Sequence, residues 1–351
     1  MLAESDGQPA DRAGTSAPQA TADPLRRLCE ADDLFRLRYE GWEELGHGTS
    51  ATAAVVRTFQ RDLAAFVALK IAWRLSAAER RQMRAEAQAL TCVQHPAVLR
   101  TYAFFDRGAL AWLEMELVDG TTLEDHLAQA RPDAPHWTRE HTLEIGACLA
   151  EGLAAVHAAG FLHRDVKPGN VLLPRDGPAA KLADFGVARA TDATVLLSEG
   201  LAGSPRYASP EALDGQRPGA PADVYALALT LYELFSGGLN PYGLGKSATL
   251  AEMLECHRGR APLPLRVLAP GLPPEVVDAV HAGLHKRPQR RPTAAALARV
   301  LRQAQQRPNA APPGAGREAV TELARILAWA MAGLLGLACG AWVLWRWAPY
   351  R

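Results

Sequence analysis

The stretch "FLHRDVKPGNVLL", residues 161–173, holds a knot of alternating charge between two apolar runs. His163, Arg164, Asp165, Lys167 and Asn170 put five hydrogen-bonding side chains into eight positions. Neither a strand interior nor a helix interior carries such a pattern. It reads as a loop between two short strands, with its polar groups present for chemistry rather than packing.

The rest of the chain bounds what that chemistry serves. Its 351 residues give room for one large two-lobed domain or two ordinary ones. Almost half of them are hydrophobic, enough for a sizeable core. The formal net charge is zero, which argues against a nucleic-acid partner, since such proteins carry a basic excess. Cys29, Cys92, Cys148, Cys256 and Cys339 show neither pairing nor metal spacing and read as reduced thiols. Only five lysines stand against thirty-three arginines. Two of the five, Lys70 and Lys167, fall in the motifs below, where a compact ammonium differs from a planar guanidinium.

Residues 1–37 are rich in Ala, Asp, Gly, Pro, Ser and Thr without sustained apolar period, and are expected to be a disordered tail rather than a signal peptide. "YEGWEELGHGTSATAAVV" from Tyr39 and "FVALKIAW" ending at Trp73 read as strands, and "SAAERRQMRAEAQALTCV" as a helix. "VLRTYAFF" and "LAWLEMELV" read as two more strands. After Gly120 the pattern turns helical: "TLEIGACLAEGLAAVHAAG" sets Leu143, Leu149, Leu153 and Val156 at helical spacing, with Gly160 as a C-terminal cap. Strands first and helices second predict an α+β chain of two unequal lobes.

Residues 305–323 form a Pro/Gly/Ala linker. Beyond it "ILAWAMAGLLGLACGAWVLW", residues 326–345, carries no charge and has the length needed to cross a hydrocarbon core. Arg325 and Arg346 bracket it, and Trp342, Trp345 and Trp347 suit an interface. The expectation is a transmembrane helix over 324–347 that anchors a cytoplasmic bulk, with 348–351 as a short tail; a buried C-terminal helix is the other reading.

"LGHGTSATAAVV", residues 45–56, sets Gly46 and Gly48 in a G-x-G turn that lets backbone amides approach phosphate oxygens. Lys70 ends "VALK" on the following strand, and Glu86 lies on the helix after it. A lysine held by a glutamate presents its ammonium to nucleotide phosphates; an ordinary surface ion pair is the plainer alternative. In the opening stretch, Asp165 suits the acceptance or orientation of an attacking hydroxyl. Lys167 suits charge neutralisation on a moving phosphoryl group, and Asn170 offers an amide oxygen to magnesium. "KLADFGVAR" adds Asp184, a hard carboxylate ligand, followed by Phe185 and Gly186.

With these motifs in order, the sequence resembles the eukaryotic-type protein kinases, the Ser/Thr branch found in bacteria above all. The resemblance covers roughly residues 38–304. It rests on G-x-G, the VALK lysine, the helix glutamate, "HRDVKPGN", "DFG", "SPE" at 209–211, "DVYALALTLYEL" from Asp223, and "RPT" with Arg291. It implies a strand-rich N-lobe over 38–118 and a helical C-lobe over 119–304, with ATP and Mg2+ (or Mn2+) as cofactors and proteins as substrates. It further implies that Lys70 and Glu86 hold phosphates, with Ala68 and Leu172 around the adenine. Met115 is the implied gatekeeper, and Glu116 to Val118 the hinge. Asp165, Lys167 and Asn170 are the implied catalytic residues, and Asn170 and Asp184 the metal ligands. Leu90, His163 and Phe185 are implied members of an apolar stack. Glu211 pairs with Arg291, and Asp223 braces the catalytic loop. The lysine two places after Asp165 marks the Ser/Thr branch.

The chain departs from the family pattern at Ala51, where the third glycine of the phosphate loop would stand, and at Ala53, where a valine would roof the adenine. Arg164 implies a basic pocket for a phosphorylated activation loop. That loop, 187–203, contains Thr191, Thr194 and Ser198, of which Thr194 or Ser198 is the favoured autophosphorylation site. In the apolar segment Ala328, Ala332, Gly336 and Gly340 recur at four-residue spacing, which permits a homodimer through close helix packing. A membrane-anchored pseudokinase scaffold and a small-molecule kinase are the competing readings. The full ionic set of Lys70, Glu86, Asp165, Asn170 and Asp184 argues against the first, and the Ser-Pro-Glu segment with Asp223 against the second.

Overall fold

The computed structural model describes residues 19–47, 53–129, 137–177, 179–184, 205–245 and 247–307. These fall into two compact units, one of residues up to 87 with 101–117, the other of 88–100 with the chain from 118 onward.

The first unit is built on an antiparallel sheet of strands β1 (Tyr39–His47), β2 (Ala53–Gln60), β3 (Ala65–Trp73), β4 (Thr101–Asp106) and β5 (Leu110–Glu116), in the order β1-β2-β3-β5-β4. Helix α3 (Ala77–Cys92) follows β3, started by Ser76, whose side chain accepts the N–H of Glu79 while Glu79 accepts the N–H of Ser76. Successive residues of β3 point to opposite faces. Val67, Leu69, Ile71 and Trp73 therefore share one face, where they join Val56, Leu110 and Trp112 in an apolar core.

That core corrects the expectation of a disordered tail over 1–37. Helices α1 (Gln19–Ala31) and α2 (Asp33–Arg38) supply Leu25, Cys29 and Phe35 to it, all three buried. Leu25, Leu28 and Cys29 sit at helical spacing, and the Asp32 carboxylate caps α2 by accepting the N–H of Phe35 at 2.9 Å. The signal was present, but diluted by the Ala, Gly and Pro around it. The residues before 19 lie outside the described ones. Where α2 meets β1, the buried Glu114 carboxylate accepts from the Tyr39 hydroxyl at 2.5 Å and from Arg38 at 3.3 Å, and Trp112 Nε1 donates to the same hydroxyl.

The second unit centres on α5 (Arg139–Ala158) and, later in the chain, α7 (Ala220–Ser236). Between them lie a small sheet, β6 (Gly120–Thr122), β7 (Val171–Pro174) and β8 (Lys181–Leu182), and the short helices α4 (Leu123–Gln129) and α6 (Pro210–Leu213). Helices α8 (Leu250–Arg258), α9 (Leu265–Leu268), α10 (Pro274–Gly283) and α11 (Ala294–Gln306) complete it. Leu143, Leu149, Leu153 and Val156 are buried as their spacing predicts, and Gly160 follows α5 with a left-handed φ of +82°. Gly152 permits a close approach, since a Cβ there would stand 2.7 Å from the carbonyl oxygen of Ala97. The residue 97–99 backbone in turn bonds Leu182 of β8, which ties helix to sheet. Among the described residues no helix is long and apolar enough to cross a membrane; residues 308–351, with the apolar 326–345 segment, lie outside them.

Candidate active site

In the second unit, residues 161–166 follow α5 without regular structure, a 3-10 turn covers Pro168–Asn170, and β7 begins at Val171. The loop is therefore flanked by a strand on one side only, which corrects the two-strand frame expected from the sequence. The reason lies in where the upstream amides go. The buried carboxylate of Asp223, in the first turn of α7, accepts the N–H of His163 at 2.8 Å and that of Arg164 at 2.7 Å. Those donors would otherwise have to join a strand ladder. His157 Nε2 completes the set at 2.9 Å from Asp223 Oδ2. This bracing holds Arg164 at a left-handed φ of +63°, a conformation costing a non-glycine residue on the order of 1 kcal/mol.

The braced loop delivers its polar side chains to one place. Lys167 Nζ lies 3.0 Å from Asp165 Oδ2. Asn170 Nδ2 donates to the backbone oxygen and to Oδ2 of Asp165, each at 2.8 Å, and more weakly to the backbone oxygen of Asp184 at 3.4 Å. The Ala183 N–H donates to the backbone oxygen of Asn170 at 2.9 Å, so Asp184 follows directly on a bond to the loop. Asp184 is exposed and holds a left-handed φ of +53°. His163 is fully buried beneath, and burial holds its imidazole below the ordinary histidine range. Its Nδ1 accepts the N–H of Asp165 at 3.3 Å, as a neutral ring can.

Asn170 spends its amide nitrogen on these three oxygens, which leaves its amide oxygen for a hard cation. Among the described residues no cluster of three or more His, Cys, Asp or Glu could hold a metal ion alone. Asn170 and Asp184 instead offer two oxygen-bearing side chains. That suits Mg2+, which keeps waters and substrate phosphates among its ligands.

In the first unit the expected phosphate and adenine residues share one sheet. Val55 of β2 stands opposite both Gly46 of β1 and Lys70 of β3, and Lys70 stands opposite Leu113 of β5. Ala68, two residues before Lys70 and on the same face, pairs with Met115; both are buried. Glu116 ends β5. In the second unit Val118 precedes β6, and Leu172 pairs with Thr122 and Lys181. Gly48, Ala51, Phe185, Gly186, Thr191, Thr194 and Ser198 lie outside the described residues, as does the side chain of Glu86 on α3.

The expected structural pair is well formed. The Arg291 guanidinium donates two bonds of 2.7 Å to the Glu211 carboxylate, buried on both sides, and further bonds to the carbonyls of Pro221, His285 and Lys286. Two partnerships escaped the sequence reading. One is His157 on Asp223, whose only trace was a histidine ending an apolar helix. The other is the buried Glu233 carboxylate of α7, which accepts from the Tyr207 hydroxyl at 2.7 Å and from Asn240 at 3.3 Å, with Arg206 at 3.5 Å. Burial pushes the Glu233 carboxyl up, while the Tyr207, Arg206 and Asn240 donors oppose that rise.

Comparison with known proteins agrees with this geometry. A family model described as protein kinase domain matches residues 39–301. The serine/threonine-protein kinase PkaB of Streptomyces coelicolor is 38% identical over 231 residues, covering 62% of this chain and 51% of that protein. The serine/threonine-protein kinase pkn2 of Myxococcus xanthus is 35% identical over 250 residues, covering 68% of this chain and 29% of that protein. The chain thus spans about half, or less, of the length of these relatives. The crystal structure of the Mycobacterium tuberculosis PknI kinase domain is 26% identical. It superposes with a TM-score of 0.57, over 76% of this chain and 97% of that one.

Proposed function

The chain belongs to the protein kinase family, and on that premise we propose that it transfers the γ-phosphoryl group of ATP to Ser or Thr hydroxyls of proteins. The observation that carries this reading is the joint fixation of Asp165, Lys167 and Asn170 by one set of hydrogen bonds. Phosphoryl transfer asks a protein for positioning and charge neutralisation more than for covalent chemistry. The Asp165 carboxylate orients the acceptor hydroxyl and takes its proton. The Lys167 ammonium neutralises charge beside it. Asn170 and Asp184 would hold Mg2+, which supplies charge stabilisation on the phosphates. Lys70 is proposed to hold the phosphates, with Gly46 and Gly48 offering them backbone amides. Ala68, Met115, Glu116, Val118 and Leu172 would surround the adenine.

Incubation of the full chain with labelled ATP and Mg2+ tests this beside Lys70→Met and Asp165→Asn. Label on Ser or Thr of the wild type, lost by at least a hundredfold in both variants, is the expected result. No label, with a rise in melting temperature on adding ATP, would replace the transferase by a nucleotide-binding scaffold.

Two finer readings rest on the sequence alone. The apolar segment 326–345 is proposed to anchor the protein in a membrane, with the kinase domain on the cytoplasmic side and Gly336 and Gly340 admitting a second copy. Thr194 or Ser198 is proposed as the autophosphorylated residue; phosphopeptide mapping that finds Thr191, Thr194 and Ser198 all unmodified in active protein would overturn it.

A further inference from the structure

Strand β5 meets different partners on its two faces. Ala111, Leu113 and Met115 stand opposite Ala72, Lys70 and Ala68 of β3, on the face that carries the residues proposed for the nucleotide. Leu110, Trp112 and Glu114 alternate onto the other face, whose apolar core takes in α1 and α2. An apolar residue would serve that core at position 114. Glu114 places a carboxylate there instead, 2% exposed and flanked along the strand by Leu113 and Met115. Phosphoryl transfer as proposed above gives this acid no task. Its donors come from the last residue of α2 and the first of β1: the Tyr39 hydroxyl at 2.5 Å and Arg38 Nη2 at 3.3 Å, both on Oε2. Arg38 Nη1 also lies 3.0 Å from Asp62 Oδ2. Next along the same face, Trp112 Nε1 donates to the Tyr39 hydroxyl at 3.0 Å, and the Phe35 ring of α2 stands edge-on to the Trp112 ring at 5.4 Å. Just before β5, Arg107 lies 3.4 Å from Asp32, the residue that caps α2. The nucleotide face of β5 and the α1–α2 segment thus belong to one compact unit and share one strand.

A carboxylate in an apolar core is tolerated only while its donors are in place. With Tyr39 and Arg38 docked, Glu114 stays inward, and Leu113 and Met115 keep their places opposite Lys70 and Ala68. With the donors withdrawn, the strand must turn or shift to bring the carboxylate to water. Side chains on the two faces of one strand move together, so Leu113 and Met115 go with it. We infer that Glu114 is a positioning residue for ATP binding, and that Arg38 and Tyr39 make the α1–α2 segment a clamp that raises the affinity for ATP through β5. This rests on the nucleotide reading proposed above. A leucine at 114 would tie β5 to the core whether or not the segment is docked; the acid makes the fit conditional on Arg38 and Tyr39. The family match begins at residue 39, so the clamp joins a segment outside the matched domain to the strand that faces the nucleotide.

The test uses the full chain in detergent, with the Kd of MgATP measured by titration calorimetry and the KM for ATP and kcat measured on a degenerate peptide library with one acceptor Ser. Tyr39→Phe keeps the ring against Phe35 and Trp112 and removes only the hydroxyl. It is expected to weaken ATP binding about fivefold and to raise the KM for ATP alike, with kcat held within about twofold, the low end of a coupling between sites. Tyr39→Phe combined with Glu114→Leu recovers most of the lost affinity, because no buried charge then needs a donor. Arg38→Gln, at a partly exposed side chain, weakens binding in the same direction by about twofold, and serves should Tyr39→Phe fail to fold. Wild-type ATP affinity in these variants, or a fall in kcat at unchanged KM, which marks only a loss of folded protein, overturns the inference and leaves the kinase reading standing. The expected pattern of Kd without transfer to any peptide sustains the inference and overturns the transferase. No ATP binding by the wild type overturns both.

Discussion

At the scale of single residues, the structure gives its clearest statement about pH through His257. Its ring lies buried, with Nδ1 2.8 Å from the Tyr225 hydroxyl, which in turn meets the Tyr242 hydroxyl that accepts from Lys286 Nζ. Burial first, and then the Lys286 charge, push the imidazole from 6.5 down to about 4. The folded chain thus refuses a proton that the unfolded chain accepts. Stability from this group is level above pH 6.5, falls as the pH drops from 6.5 to about 4, and levels again below. The full span amounts to on the order of 3 kcal/mol. Unfolding by urea at pH 7.5, 6 and 5 should show a steeper loss in the wild type than in His257→Gln, which cannot titrate; parallel curves would refute the assignment. Residues of this kind were not legible in the sequence. The proposed catalytic set stands out along the chain, because Asp165, Lys167, Asn170 and Asp184 lie close together in it and their residue types suit one chemistry. His257, Tyr225 and Lys286 come from separate helices and loops, and nothing local announces that they meet.

At the scale of elements, the strands of the first unit and helix α5 were readable from periodicity, while α1 and α2 were not. The difference is composition: β3 is apolar on both faces but for Lys70, whereas α1 sets Leu25, Leu28 and Cys29 beside two arginines, an aspartate and a glutamate. The family match begins at residue 39, yet the core of that unit takes in Leu25, Cys29 and Phe35. Fully burying such side chains contributes about 1.5–3 kcal/mol each, against a total stability of roughly 5–15 kcal/mol for a domain. A chain starting at residue 39 is therefore expected to melt at least about 10 °C below one starting at residue 19, or to be recovered only as aggregate. Equal melting temperatures in calorimetry would show that α1 and α2 are dispensable to the sheet they cover. Leu25→Asp, in the otherwise intact chain, should reproduce the loss, because it places a charge where the core admits none.

At the scale of the whole molecule, the two units differ in what maintains them, and the proposed anchor adds a third environment. The strand-rich unit depends on one apolar core behind its sheet, closed by Glu114, Tyr39 and Arg38. The helical unit encloses α7 almost completely and is tied by the buried Arg291–Glu211 pair and, nearer its surface, by Arg302, bonded twice to Glu151 at 2.6 Å between α11 and α5. Motif order made both units legible, since glycine turn, VALK lysine, HRD loop and DFG follow one another along the chain. Beyond the helical unit lies a segment whose reading depends on a different solvent. Twenty residues at 1.5 Å rise span about 30 Å, the thickness of a bilayer's hydrocarbon, and residues 326–345 contain no charge to resist insertion. The full chain is expected to sediment with membranes, to resist alkaline carbonate and to be released by detergent, while a chain ending at residue 307 stays in the supernatant and keeps the proposed kinase activity. Leu335→Arg should move a large share of the full chain to the supernatant, because an arginine at mid-span costs insertion about 2.5–3.5 kcal/mol. If the full chain and Leu335→Arg fractionate alike in the supernatant, the segment packs against protein instead, and its apolar face must then be sought in a helical complex rather than in lipid.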